Sequence, residues 1–153
     1  MFKINRKIEY ALIALKHMSN KKQGQLTTAK EICDIYHTPF DPTSRGLQIM
    51  AQNGILKAEL GAYGGYQIQK DLSKVAFSDL VDMIVGPIEI ADCFHHKFSQ
   101  CELTACCNVI APMLNLNDKM KGLFQTLSIK DLLASRNQGE KGIRSKPLEA
   151  AKT

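Results

Sequence analysis

The chain has no long apolar run, no paired C-x₂-C arms and little aromatic content, and each shortage narrows what the protein can be. No stretch of its 153 residues approaches the roughly 18 to 20 consecutive apolar residues that a membrane-spanning helix requires. The opening residues, MFKINRKIEY, lack the apolar core of a secretion signal and instead begin an amphipathic pattern, which points to the cytoplasm. Five cysteines in that reducing compartment favour metal or redox chemistry over a disulfide framework. No nucleotide-binding loop, catalytic triad or internal repeat is present, so an enzyme reading finds no support. What remains is 44% hydrophobic and 7% aromatic, a composition suited to a globular, mainly helical protein. The length allows one compact domain with one appended element.

Charge is unevenly placed. Residues 1–77 hold 11 Lys and Arg against 6 Asp and Glu, residues 78–134 hold 4 against 7, and residues 135–153 hold 5 against 2. A basic first half beside an acidic second half fits a nucleic-acid-facing module joined to a regulatory one.

Periodicity divides the first half into short elements. Ile8, Leu12, Leu15 and Met18, with Ala11 beside them, form the apolar stripe of a helix over residues 5–19. Thr28 and Glu31 stand three apart as a capping box opens, and Ile32 and Ile35 supply that second helix with an apolar face. After a turn at 37–40, Asp41 followed by Pro42 predicts a sharp helix start, with the helix over 42–53 stopped by Asn53-Gly54. Two short helices so joined make a helix-turn-helix. Residues 55–58 and 66–69 then read as strands around Gly61, Gly64 and Gly65, whose freedom at positive φ suits a tight hairpin. Behind a helix-turn-helix, such a hairpin is a wing.

In the second half, Ser78 and Asp79 cap a helix ending at Gly86-Pro87. Val109, Met113, Leu116, Met120, Leu123 and Leu127 then recur at coiled-coil spacing. That seam suits either a dimer contact or packing on the chain's own domain. Pro112 belongs in its first turn or produces a kink. The polar residues 135–153 read as a basic tail. The expected architecture is mainly α with a small β wing: a winged head at 1–77, a cysteine loop and dimerisation helix at 78–134, and the tail.

Cys93, Cys101 and Cys107 fall within 15 residues, with Cys106 adjoining the last. Thiolates are soft donors for iron–sulfur clusters, zinc or copper(I). The gaps of seven and five residues lack the paired arms of zinc modules, which favours a cluster.

In this order the residues resemble the IscR and NsrR family of bacterial iron–sulfur transcription regulators. The likeness covers roughly residues 1–134. It rests on Arg6 through Leu12, Asn53-Gly54-Ile55-Leu56, Gly64-Gly65-Tyr66, Gly86-Pro87-Ile88, Cys93 and Ser128 through Leu132. It implies a homodimer that binds a double-stranded DNA operator through two winged heads, crossed by long helices, with a 2Fe-2S or 4Fe-4S cluster near the dimer contact. Cysteine spacing is closer to the NsrR branch, with Cys93, Cys101 and Cys107 as ligands and Cys106 as the alternative to Cys107. Ile110 stands where IscR would have a histidine ligand. Glu9 matches a carboxylate that, in some relatives, ligates the cluster by reaching across from the partner subunit, and His95 and His96 are its local rivals.

The likeness also implies a recognition helix at 42–53, although Ser44 replaces a common glutamate there and Leu60 replaces a wing arginine. Arg45 and Gln48 suit base edges, since guanidinium reads guanine and amide reads adenine bidentately. Thr43, Ser44, Lys57 and Tyr63 suit phosphates, and Thr28 at the helix start joins the candidate DNA contacts. The expected activity is repression governed by a cluster that senses nitric oxide, redox state or cluster supply. The alternative is a metal-free regulator of the same family, controlled by cysteine oxidation or a partner protein.

Overall fold

The computed structural model describes residues 3–90, 102–103 and 105–134, and it is mainly helical with one two-stranded sheet. Helix α1 (Arg6–Ser19) is capped by the Asn5 side chain, which accepts from the Lys7 N–H. Its buried stripe is Ile8, Ala11, Leu15 and Met18, with Ala14 alongside, while Leu12 is only half-buried. Helix α2 (Ala29–Tyr36) starts at Thr28, whose hydroxyl accepts from the Glu31 N–H at 3.1 Å. The Glu31 carboxylate turns to α1 instead, so only half of the predicted capping box forms. Ile32 is fully buried, but Ile35 is 50% exposed. The chain bends away just beyond, at His37 with φ 54°, and leaves the last turn outside the core.

Helix α3 (Phe40–Gln52) begins two residues before the predicted start. Extended Pro39, not Asp41, is the N-cap, and Pro42 lies in the first turn, where a missing N–H breaks no intrahelical bond. At the other end Gly54 has φ 72°, the left-handed conformation that stops the helix as expected.

Strands β1 (Leu56–Glu59) and β2 (Gly65–Ile68) pair antiparallel, Leu56 opposite Ile68 and Glu59 opposite Gly65. Of the three wing glycines only Gly61 has positive φ, at 115°. The other two are required by proximity. A Cβ on Gly64 would collide with the Glu59 carbonyl, and one on Gly65 would stand 2.9 Å from the Thr27 carbonyl oxygen. That approach lets Thr27 and Tyr66 exchange two backbone hydrogen bonds of 2.8 Å, tying the wing to the entrance of α2.

A 3₁₀ turn (Leu72–Lys74) leads to α4 (Phe77–Val85), capped at Ala76 rather than at Ser78. Asp79 does act there, as the acceptor for the Ala76 N–H. Helix α5 (Ile110–Thr126) holds Pro112 in its first turn without a break. Ser128 caps α6 (Ile129–Ala134), and its hydroxyl accepts from the Asp131 N–H at 3.0 Å. Backbone bonds Phe77 N–H to Leu127 O (2.8 Å) and Ile129 N–H to Val75 O (2.9 Å) fasten this return to the head. One core therefore joins Leu15, Ile32, Leu47, Met50 and Ile55 with Leu80 and Ile129, across the boundary expected at residue 77. No helix among the described residues is long and apolar enough to cross a membrane.

Candidate DNA interface and cysteine segment

Helix α3 buries Thr43, Gly46, Leu47 and Met50 on one side, which leaves Asp41, Arg45, Gln48 and Gln52 exposed on the other. Arg45 and Gln48, the two residues expected at base edges, thus share a solvent-facing stripe, with half-buried Ser44 at its flank. Thr43 does not. It is 2% exposed, and its hydroxyl donates to Thr38 Oγ1 (2.9 Å), which in turn donates to the Cys33 sulfur (3.6 Å). That hydroxyl chain ties the start of α3 to α2 and withdraws Thr43 from the phosphate contacts expected of it. Thr28 is exposed, with its hydroxyl engaged at the α2 cap.

Sequence reasoning missed Lys7. Lys7, Pro42, Arg45, Gly46, Ile49 and Ile84 line a groove of about 220 Å³ between α1, α3 and α4, which brings two cations to one surface. Its signal was present in the Arg6-Lys7 pair at the start of α1, but nothing in the sequence says which helix α1 crosses.

On the wing, Leu60 and Tyr63 are 99% and 96% exposed. Lys57 lies lower on the stem, where its ammonium is 3.4 Å from the Glu59 carboxylate. The Gln67 amide also donates to Glu59, at 3.0 Å. Lys57 remains more than half exposed, so it can still meet a phosphate, though with its charge partly offset.

The scaffold behind these elements is held by a cluster between α1 and α2. Glu31 Oε1 lies 2.6 Å from Lys21 Nζ and 2.8 Å from His17 Nε2, and His17 Nδ1 lies 3.0 Å from the Tyr36 hydroxyl. Partial burial pushes the Glu31 carboxyl up, but the hydrogen bonds and charges of Lys21 and His17 together outweigh it and hold the group below its usual range.

The cysteine segment meets the fold at the foot of α5. Cys107 is partly buried and Cys106 exposed, in a turn where the Cys106 N–H donates to Leu103 O at 3.0 Å. Cys93, Cys101, His95 and His96 lie outside the described residues, as does the tail at 135–153. Glu9 is exposed on α1. No metal-binding group of His, Cys, Asp or Glu forms among the described residues. By chemistry the donor set still suits an iron–sulfur cluster: soft thiolates, with no paired arms for zinc. Above the turn, α5 sets Phe124 edge-on against Phe77 (centroids 5.1 Å apart) and buries Asn117, whose Oδ1 accepts from the Ile90 N–H at 3.3 Å. Its other side stays bare, with Val109 50%, Leu116 47% and Leu123 60% exposed.

Known proteins share this fold. The chain is 18% identical to the HTH-type transcriptional regulator NsrR of Shouchella clausii over 129 residues, 84% of this chain and 87% of that protein. The structure of CymR, the global cysteine regulator of B. subtilis, superposes with a TM-score of 0.64 at 19% identity, covering 90% of this chain and 100% of that one. IscR of T. potens superposes with a TM-score of 0.61 at 14% identity, covering 86% of each chain. The Rrf2 family model, that of iron-dependent transcriptional regulators, matches residues 4–135, from just before α1 to just past α6, and the chain therefore belongs to the Rrf2 family of transcriptional regulators.

Proposed function

We propose that the chain is a homodimeric repressor whose affinity for its operator is set by an iron–sulfur cluster, 2Fe-2S or 4Fe-4S, responding to nitric oxide, redox state or cluster supply. The exposed Arg45–Gln48 stripe supports the reading of α3 as the recognition helix. Lys57 and Tyr63 supply phosphate contacts, with Ser44 beside the base-reading pair. The bare ridge of Val109, Leu116 and Leu123, repeating every seven residues, supports association of two copies along α5.

The observation that carries the regulatory reading is the placement of Cys106 and Cys107 at the foot of α5, whose far end is hydrogen-bonded into the head. Cys93, Cys101 and Cys107 would hold the cluster, with Cys106 as the substitute for Cys107 and the partner's Glu9 as the fourth ligand. Bound there, the cluster supplies iron atoms open to nitric oxide and oxidants. The chain's own part is mechanical: a shift of the cysteine turn moves α5, and α5 moves the head through Leu127 and Ile129. A carboxylate is the hardest of the four donors and therefore the weakest ligand.

Anaerobic purification tests this reading. A brown protein containing iron and sulfide, made colourless by Cys93→Ala, Cys101→Ala or Cys107→Ala without loss of the dimer, is the expected result. Full cluster occupancy in Cys107→Ala, with loss in Cys106→Ala, moves the ligand by one residue. A second reading, control by thiol oxidation without metal, is favoured by the exposed Cys106 thiol. It predicts a colourless anaerobic protein whose DNA affinity changes on oxidation.

A further inference from the structure

Leu60 and Tyr63 stand apart from every other large apolar side chain among the described residues. The next most exposed is Leu103 at 63%, against 99% and 96% at the wing tip. The stem beneath them is braced from two sides. Thr27 and Tyr66 exchange hydrogen bonds on one, and the Ile55 carbonyl accepts from the Gln69 and Lys70 N–H groups (2.9 and 3.2 Å) on the other. A braced hairpin that holds two large apolar groups in water is not arranged for the chain's own core.

Electrostatics narrow what meets that tip. No Lys or Arg occurs between Ala58 and Gln69, so the tip cannot enter a DNA groove as a cation. The one carboxylate in that span, Glu59, is engaged along the stem by Lys57 and Gln67. The tip is thus apolar and nearly neutral, on a head whose first 77 residues carry 11 cations against 6 anions. Two side chains cannot supply the roughly 800 Å² per partner of an ordinary protein interface. They match the apolar wedges that minor-groove proteins insert between base steps. Only three residues separate the end of α3 from β1, so the tip travels with the recognition helix.

Resting on the reading of α3 as the recognition helix, we infer that Leu60 is such a wedge. It enters the minor groove beside the α3 contact, opens one base step and bends the duplex, while Tyr63 packs along the adjoining backbone. The preferred step is a flexible pyrimidine–purine one, TA or CA, because these unstack most readily.

The test uses the anaerobically purified protein and a duplex it selects from a randomised pool, with 2-aminopurine replacing the adenine of the flanking step. Binding of the wild type should raise the 2-aminopurine fluorescence and shorten the end-to-end distance read by energy transfer. Leu60→Ala should lose both signals, and its preference for TA over AA at that step should fall to within about twofold. Leu60→Arg should recover affinity through charge without recovering the fluorescence. Both variants should unfold at the wild-type temperature, and a clear drop would overturn the proposal by making Leu60 structural. Equal fluorescence and bending in wild type and Leu60→Ala overturn it too, and assign the tip to a protein contact. Arg45→Ala distinguishes that failure from a deeper one. If Arg45→Ala loses selectivity while Leu60→Ala changes nothing, only the wedge falls. If the wild type binds all duplexes alike, the reading of α3 falls with it.

Discussion

In the proposed complex Arg45 and Lys57 would contribute to DNA affinity in different ways, and their variants should separate. Loss of one bidentate base contact in Arg45→Ala should weaken cognate binding by about 1–3 kcal/mol while leaving random DNA nearly unaffected. Lys57→Ala should weaken binding to all sequences and flatten the salt dependence. Because Glu59 stands 3.4 Å from Lys57, Glu59→Gln should release that cation and steepen the salt slope, by about one at most. Titration by fluorescence anisotropy at several salt concentrations reads all three. Glu31 gives a test of pH. Its carboxyl titrates below the ordinary 4.5, so its stabilisation is fully present above that value and is lost as pH falls through the lower folded value. Glu31→Gln should cost about 1 kcal/mol or less at neutral pH, and thermal unfolding of the two proteins should converge in acid. Thr43 shows where residue-level reading went astray. It lies in helical phase with Leu47 and Met50, a core register, and its hydroxyl disguised that register as a surface one.

The kinds and order of the elements were legible, while their ends and partners were less so. Helical periodicity, Thr28, the Asn53-Gly54 stop and the glycine-rich turn at 61–65 placed α1 to α3 and the wing, because those signals are local. The start of α3 was misplaced because Asp41-Pro42 carries a strong N-cap signal, yet Pro39 was already extended. The sequence pattern suggests turn formers at all three wing glycines, whereas Gly64 and Gly65 answer to backbone that approaches from Glu59 and Thr27. Gly65→Ala should therefore destabilise the head by about 1–3 kcal/mol, measured by denaturant unfolding, even though its φ is not left-handed. The seam on α5 was visible as spacing, but the sequence could not divide it. Val109, Leu116 and Leu123 face outward, while Met113, Met120 and Leu127 are half-buried. Leu116→Glu and Leu123→Glu should produce folded monomers in sedimentation experiments. Ile129→Ala, at a fully buried site, should instead cost about 2–5 kcal/mol of stability. Unfolding of the Leu variants, or dimers that survive them, would move the association surface off this ridge.

At the scale of the whole molecule, the proposed DNA-reading face and a thiol-bearing turn lie on one chain, and α5 leads from the turn to the head. Both ends of that connection, the exposed stripe of α3 and the run of cysteines, can be read from the sequence as residue types and spacing, which is all that the roles proposed for them require. The sequence did not disclose the fastening. Phe77 and Ile129 make their backbone bonds across fifty residues or more, and periodicity has no access to such pairings. Cluster ligation by the partner's Glu9, as proposed, is the most exacting of these roles. Glu9→Ala should still assemble a cluster, with an altered spectrum and faster loss to nitric oxide, and Glu9→Cys should hold it longer. The central claim is tested most directly by the affinity of the anaerobic protein for its selected operator, titrated before and after iron is removed by a chelator. The expected result is a brown protein that binds the operator tightly and loses at least about tenfold in affinity on losing iron, a shift of about 1.4 kcal/mol. A colourless anaerobic protein, or the same affinity with and without iron, would contradict it.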